Sequence, residues 1–158
     1  MTFRTATLAD LPAIIHLLAD DPLGRLRETV STPPDPGYPP AFHAISADPN
    51  QRLVVADPNQ RLVVAELGGE IVGTLQLTFI PGLVQRGAWR GQIEAVRIAS
   101  HMRGQGLGKT MFQWAIAECR TRGCRIIQLT TDKSRKDAHR FYDNLGFTPT
   151  HEGYKLVL

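Results

Sequence analysis

Cysteine is scarce in this chain. Only Cys119 and Cys124 occur among 158 residues, too few for a disulfide framework. With no second cysteine or histidine pair nearby they make a poor zinc site, and both are expected as reduced thiols. Long apolar runs are also missing. Nothing approaches the ~18 residues that span a bilayer, and the opening stretch MTFRTATLAD lacks the apolar core of a secretory leader. No sign of charge dominates. The 18 Lys and Arg against 15 Asp and Glu leave +3, too little to argue for a nucleic-acid partner. The five histidines are scattered, so no metal is expected. These shortages exclude a membrane protein, a secreted precursor and a coiled coil. What is present suits a packed core, with 42% apolar and 21% charged residues. The expectation is one cytoplasmic domain over 1–158.

One stretch occurs twice. Residues 47–55 and 56–64 both read ADPNQRLVV. So short a tandem copy is no solenoid repeat, which needs a period of ~20 residues or more. Its length is odd, so two copies in one continuous strand would present opposite faces. Only one copy can take the strand role. The second is expected to, because it runs directly into a hairpin; the first would be a looped-out insertion.

The apolar pattern alternates between strand and helix. Phe3–Ala6 reads as a short strand. Thr7 reads as a cap, with Asp10 three residues on, Pro12 in the first turn, and a stripe of Leu11, Ile14, Ile15 and Leu18. The proline-rich segment Asp20–Ala41 reads as irregular, with one short helix around Leu23–Val30. It suits a lid or a substrate wall better than core. Ala41–Ala47 reads as another short helix. Gln60–Glu66 and Glu70–Ile80 make a hairpin through Leu67-Gly68-Gly69. Gln92–Ser100 is a strand and Gly106–Arg122 the strongest helix, stopped by Gly123. Then come a strand at Arg125–Thr131, a helix at Arg135–Leu145 ending at Gly146, and a closing strand at Gly153–Leu158. A strand meander followed by strand–helix–strand–helix–strand is a mixed α/β (α+β) domain.

The stretch from Ile98 to Lys109 carries the chemistry. A strand ends, Gly104, Gly106 and Gly108 follow, and a strong helix begins. The N–H groups that open a helix have no internal partner and sit at the positive end of its dipole, and glycines let an anion approach them. The site suits a pyrophosphate. Two familiar phosphate loops fail on spacing. A Walker A loop needs four residues between its first Gly and Gly-Lys-Thr, and Gly104 and Gly108 enclose three. A dinucleotide fingerprint needs G-x-G-x-x-G on an early strand, and this loop is G-x-G-x-G and late in the chain. The plain alternative is a glycine turn that only caps a helix.

What does fit is Arg/Gln-x-x-Gly-x-Gly/Ala, met by Arg103, Gly106 and Gly108. With it the sequence resembles the GNAT superfamily of acyl-CoA-dependent N-acetyltransferases. Thr2–Leu18 is similar to the family's first strand and helix, and Val63–Gly73 to its second hairpin. Phe141-Tyr142-Asp143-Asn144-Leu145-Gly146-Phe147 is similar to its F-Y-x-x-L-G-F signature. The resemblance implies a mostly antiparallel sheet of six to seven strands with about four helices, splayed at the cofactor cleft. It implies acetyl-CoA as cosubstrate, with the pyrophosphate held by backbone N–H groups over Arg103, Gly104, Gln105, Gly106, Leu107, Gly108 and Lys109. Val96, Arg97 and Ile98 would line the pantetheine arm. In the last helix the family often has an asparagine three residues before Ala138. Arg135 stands there instead, and would meet a phosphate or leave the contact to Ser134. Lys133, Lys136 and Arg140 would add positive charge, or form a solvated basic face.

Acetyl transfer to an amine needs a base, an oxyanion donor and a proton for the departing thiolate. The resemblance makes Tyr142 the acid; a tyrosine packed with Phe141 and Phe147 is the plain alternative. Glu94 is the candidate base, acting through a water. Strand alternation puts Glu94, Val96 and Ile98 on one face. A carboxylate in the apolar run Ile93–Val96 must be paired, exposed or functional, and burial would raise its pKa. Asp132 is the second choice. The resemblance makes the Ile98 N–H the oxyanion donor. Phe79, Ile80, Trp89 and the proline-rich segment are candidate acceptor walls, and Glu28 would attract an amine or sit exposed. The expected acceptor is a small-molecule amine, with no nucleic acid, membrane or metal involved, and a homodimer is expected of the family. The competing reading is a non-catalytic acyl-CoA-binding or sensor module.

Overall fold

The longest strand, β3 (Glu70–Ile80), lies between β2 (Gln60–Leu67) and β4 (Arg90–Ile98). The computed structural model describes residues 2–20, 24–26, 28–46 and 60–158. The chain forms two compact units, Met1–Gln128 and Leu129–Leu158.

In the first unit the strand order is β1-β2-β3-β4-β5, with β1 at Thr2–Thr5 and β5 at Ile126–Leu129. The first four strands are antiparallel neighbours. Gly68 and Gly69 turn β2 into β3 at φ 60° and 84°, a backbone that favours glycine. β5 runs parallel to β4. Arg125 N–H donates to Trp89 O (2.9 Å) and Gln128 Nε2 to Gln92 Oε1 (2.6 Å), so both chains advance together.

Register sorts the side chains into two faces. Val64, Thr74 and Gln76 share the face covered by α1 (Leu11–Ala19) and α2 (Tyr38–Ser46). Val63, Leu75, Leu77 and Ile93 share the other, where α4 (Leu107–Thr121) packs. Contact there is close. A Cβ added at Gly73 would lie 2.8 Å from Met111 Sδ, and one at Gly91 2.3 Å from Cys119 Sγ. Each of these large buried side chains contributes about 1.5–3 kcal/mol relative to exposure. On the α1 side Asp10 is buried yet fully engaged. Arg4 donates to both its oxygens (2.7 and 2.9 Å) and Thr7 N–H to Oδ2 (2.7 Å). The Arg4 guanidinium holds the Asp10 carboxyl far below the usual carboxylate range.

The second unit contains α5 (Lys136–Asn144). Its end explains the aromatic signature in physical terms. Gly146 is left-handed at φ 87°, its N–H bonds to Asp143 O (3.0 Å), and Phe147 N–H bonds back to Tyr142 O (3.1 Å). The rings of Tyr142 and Phe147 meet at 6.2 Å. This is a Schellman cap with its apolar contact. The end of α4 repeats it: Gly123 N–H bonds to Arg120 O (3.0 Å) and Cys124 N–H to Cys119 O (2.9 Å). The cysteine spacing is therefore a cap spacing. Both thiols are free, and burial pushes Cys119 up to about 12.

The structure corrects several expectations. Among the described residues the sheet has five strands, not six to seven. Gly153–Leu158 forms no strand; Tyr154, Leu156, Val157 and Leu158 are exposed, and an alternating pattern makes a strand only where a neighbour takes its backbone bonds. A fifth helix, α3, is a single turn at Val84–Gly87 in which Gln85 and Arg86 hold left-handed backbone at φ 53° and 62°. The helix expected around Leu23–Val30 is a 3-10 turn at Gly24–Leu26. α2 starts earlier than expected, with Pro39 and Pro40 in its first turn, where a missing N–H costs nothing. QRLVV of the second duplicate opens β2. The first duplicate, expected as an insertion, lies outside the described residues.

Candidate active site

β4 ends at Ile98 and a 3-10 turn, Ser100–Met102, leads into the glycines. Gly104 and Gly106 are both left-handed at φ 78°, and a Cβ on either would meet nothing within 4 Å. The loop thus faces open space. The first bond of α4 is Thr110 N–H to Gly106 O (3.2 Å). Among the described residues, no turn or loop bond takes up the N–H groups of 104–109. Lys109 is exposed beside them, and Gln105 leans back on His101 O (3.5 Å). The result is a row of unused donors at the positive end of a long helix, suited to a pyrophosphate. Arg103 points elsewhere. Its Nε donates to Ile98 O (3.1 Å) and its Nη2 donates to the carbonyl oxygen of Asp20 and to Asp20 Oδ2 (3.3 Å).

The middle of β4 is irregular, and the irregularity overturns one expectation. Gln76 faces Glu94 and Thr74 faces Arg97, so Ala95 and Val96 together oppose Leu75. Ala95 takes φ 51°, strained for a residue with a Cβ. This bulge breaks the alternation. Glu94 lies on the α1–α2 face with Gln76 and Thr74, while Ile98, opposite Gly73, lies on the α4 face. Glu94 and Ile98 do not share a face. Glu94 is exposed, one of the three states open to a carboxylate in this apolar run. A cavity of about 100 Å³ lies on the α1–α2 face, lined by Tyr38, Phe42, Ile45, Gln76 and Ala95 among others.

Within the first unit, no described strand flanks the outer side of β4 beyond β5 and its Gln92–Gln128 contact. β5 stops at Leu129, one residue past the Gln92–Gln128 contact, whereas β4 runs on to Ile98. Ala99 N–H bonds inward to Val72 O (2.9 Å). Ile98, next to it in the chain and past the bulge, therefore points its main-chain groups outward by alternation. The Ile98 carbonyl accepts from Arg103 Nε (3.1 Å) and the Val96 carbonyl from Arg97 Nη1 (2.8 Å).

Several expected wall residues have other partners. Phe79 is buried, and Phe79 and Trp89 lie under the Arg122 guanidinium at 5.7 and 4.9 Å. Glu28 accepts from Tyr38 Oη (2.9 Å), which in turn accepts Thr29 N–H (3.0 Å).

In the second unit Tyr142 is half-buried, edge-on to Phe141 at 5.5 Å and to Phe147. Asp132 closes a turn: Ser134 donates its N–H (2.9 Å) and its hydroxyl (2.6 Å) to Oδ1. Those bonds lower the Asp132 pKa. Arg135 caps α5, receiving His139 N–H at its carbonyl (3.1 Å), and its side chain is exposed, as are Lys133 and Lys136. Arg140 pairs with Asp137. Ala138 is half-buried.

Residues 23–147 match the family described as "Acetyltransferase (GNAT) family". The chain belongs to this family. A GNAT relative, aminoalkylphosphonate N-acetyltransferase of Salmonella typhimurium, is 35% identical over 57% of this chain and 58% of its own length. Glucosamine 6-phosphate N-acetyltransferase of Trypanosoma brucei brucei is 37% identical over 57% of this chain and 59% of its own. The chain thus spans under two thirds of these relatives. A solved structure described as a transcriptional regulator from Bacillus halodurans C-125 is 48% identical, with TM-score 0.90 over 99% of both chains.

Sequence reasoning missed two features of this GNAT site. The Ala95 bulge has no glycine to mark it. Asp20 lies 83 residues from its partner Arg103, and no local pattern links them.

Proposed function

We propose that the chain transfers the acetyl group of acetyl-CoA to the primary amine of a small molecule, by direct attack in a ternary complex. The observation that carries this reading is the row of unused N–H groups over Gly104–Lys109, facing open space at the start of α4. A dianionic pyrophosphate fits such a row, and the outer edge of β4 at Val96 and Ile98 fits an extended amide arm. Arg97 would border that arm. Both curated relatives carry the names of small phosphorylated or phosphonylated amines, which supports a small acceptor.

Acetyl-CoA, when bound, supplies an acetyl group activated as a thioester. The chain's residues supply the rest. Glu94 accepts the amine proton through a water, so the nitrogen lone pair is free to form the C–N bond. Ile98 N–H donates to the carbonyl oxygen as negative charge grows there. Tyr142 gives its phenolic proton to sulfur as the C–S bond breaks. Glu94 is preferred to Asp132 because Ser134 already occupies the Asp132 carboxylate and lowers its basicity. The small cavity beside Ala95 would seat the acceptor's hydrocarbon part. Arg135 and Ala138 would border the cofactor, with Lys133 and Lys136 adding positive charge.

The test is thiol release from acetyl-CoA with a panel of small primary amines, including 2-aminoethylphosphonate and glucosamine 6-phosphate. Release with any amine, above the amine-free rate, supports transfer. A second reading has its own observation, because the 48% identical structure is described as a regulator. Tight acetyl-CoA binding with no release across the panel would favour an acyl-CoA sensor.

A further inference from the structure

Arg103 stands where the family pattern has a polar residue beside the phosphate loop, yet its guanidinium is engaged away from that loop. Three of its contacts are to protein oxygens: Ile98 O, Asp20 O and Asp20 Oδ2. Asp20 does more than receive them. Its Oδ2 also accepts Ser100 N–H at 2.6 Å, in the turn that launches the glycines. Asp20 follows the last residue of α1, and its own N–H bonds back to Leu17 O (3.2 Å). The carboxylate is therefore fixed from behind by a helix end and grips the loop at two points in front.

We propose that Arg103 and Asp20 form a latch that positions the phosphate loop, and that Arg103 is not itself a ligand of the cofactor. The latch rests on the reading that this loop binds acetyl-CoA. Its logic is geometric. Two left-handed glycines make the loop pliable. Donors that are to meet a pyrophosphate must already be aimed, or ordering them costs affinity. Arg103 clamps the loop's entry to the end of β4 through Ile98 O, and Asp20 ties that clamp to α1. Arginine suits the task because its planar fork reaches two separate acceptors at once, which a lysine ammonium on a flexible stem does not reproduce.

The sign of one substitution separates a latch from a direct ligand. If Arg103 bound phosphate, Asp20→Ala would free its guanidinium and remove a negative charge near an anionic ligand, so acetyl-CoA would bind more tightly. A latch requires the opposite. Asp20→Ala should raise the Kd for acetyl-CoA about tenfold, equivalent to about 1.4 kcal/mol. Arg103→Ala should match it, and the double variant should be no worse than either single one. Arg103→Lys should fail to rescue. In turnover the loss should fall on the KM for acetyl-CoA more than on kcat, because the loop is completed once the ligand is bound. Calorimetry on the variants, each shown to unfold cooperatively near the wild-type midpoint, reads the affinities, and thiol release reads the kinetics. Tighter binding by Asp20→Ala, additive losses in the double variant, or rescue by lysine would each overturn the latch. If wild type itself bound no acetyl-CoA, the functional reading would fail first.

Discussion

Two glycines on α4 form a matched pair for testing the phosphate loop. Gly106 opens the helix at φ 78° and Gly123 follows its end at φ 77°. Neither would bring a new Cβ within 4 Å of another atom, so alanine meets no clash at either site. The cost of each substitution is then mainly the left-handed backbone, about 1–2 kcal/mol for an L-residue. About 0.4–1 kcal/mol of that is recovered because alanine has fewer unfolded conformations. Net losses of about 1 kcal/mol should lower each melting midpoint by about 2–4 °C. Binding should tell the pair apart. At Gly106 the methyl group occupies the open side from which a pyrophosphate approaches the N–H row. Loss of one charge-assisted bond would weaken acetyl-CoA by about 10- to 100-fold. At Gly123 the affinity should stay at the wild-type value. Melting curves and calorimetry on both variants give the two numbers. Equal affinities in Gly106→Ala and Gly123→Ala would refute the argument.

Further outcomes follow from the same geometry. Tyr142→Phe should lower kcat with little change in acetyl-CoA affinity, and Glu94→Gln should lower kcat by about 10²-fold or more, as loss of a general base does; stopped-flow thiol release measures both, and full activity would remove either residue from its role. Asp10→Asn should lower the melting midpoint at neutral pH, since it breaks the ion pair between the buried Asp10 carboxylate and the exposed Arg4. The Asp10 pKa is depressed on folding, so its contribution is complete above the ordinary carboxyl value of 3.8 and is lost as pH falls below it. The gap in melting midpoint between wild type and Asp10→Asn should therefore be constant from about pH 5 to 8 and close below about pH 4. Deleting residues 47–55 leaves one copy of ADPNQRLVV ahead of β2, and both midpoint and acetyl-CoA affinity should be retained; a large fall in the midpoint would show that the extra copy is part of the core.

The loop, the β2–β3 hairpin and both Schellman caps were legible because glycine marks their positive-φ positions. The two faces of the sheet were legible from alternation as far as Ile93, where the ladder is regular. Past it, Ala95 carries a bulge that no residue type announces, so Glu94 and Ile98, read onto one face by alternation, lie on opposite faces. The closing strand failed for a different reason. Tyr154-Lys155-Leu156-Val157-Leu158 has a strand's local pattern, but a strand also needs a neighbour, which local pattern does not supply. Asp20 was invisible because its role exists only once α1 and the loop meet in space. Phe79 and Trp89 read as candidate walls, and their stacking under Arg122 depends on the end of α4 reaching them.

The most direct test of the account is thermal unfolding of the full chain with acetyl-CoA, desulfo-CoA and ATP. A ligand that binds only the native state at about 100 times its Kd adds about 2.7 kcal/mol, or about 5–10 °C for a chain of this size. The account predicts that rise with both CoA compounds and little with ATP, because only the former carry an arm for the outer edge of β4. No rise with either CoA compound would mean that the N–H row over Gly104–Lys109 merely caps a helix, and the proposed function would be wrong.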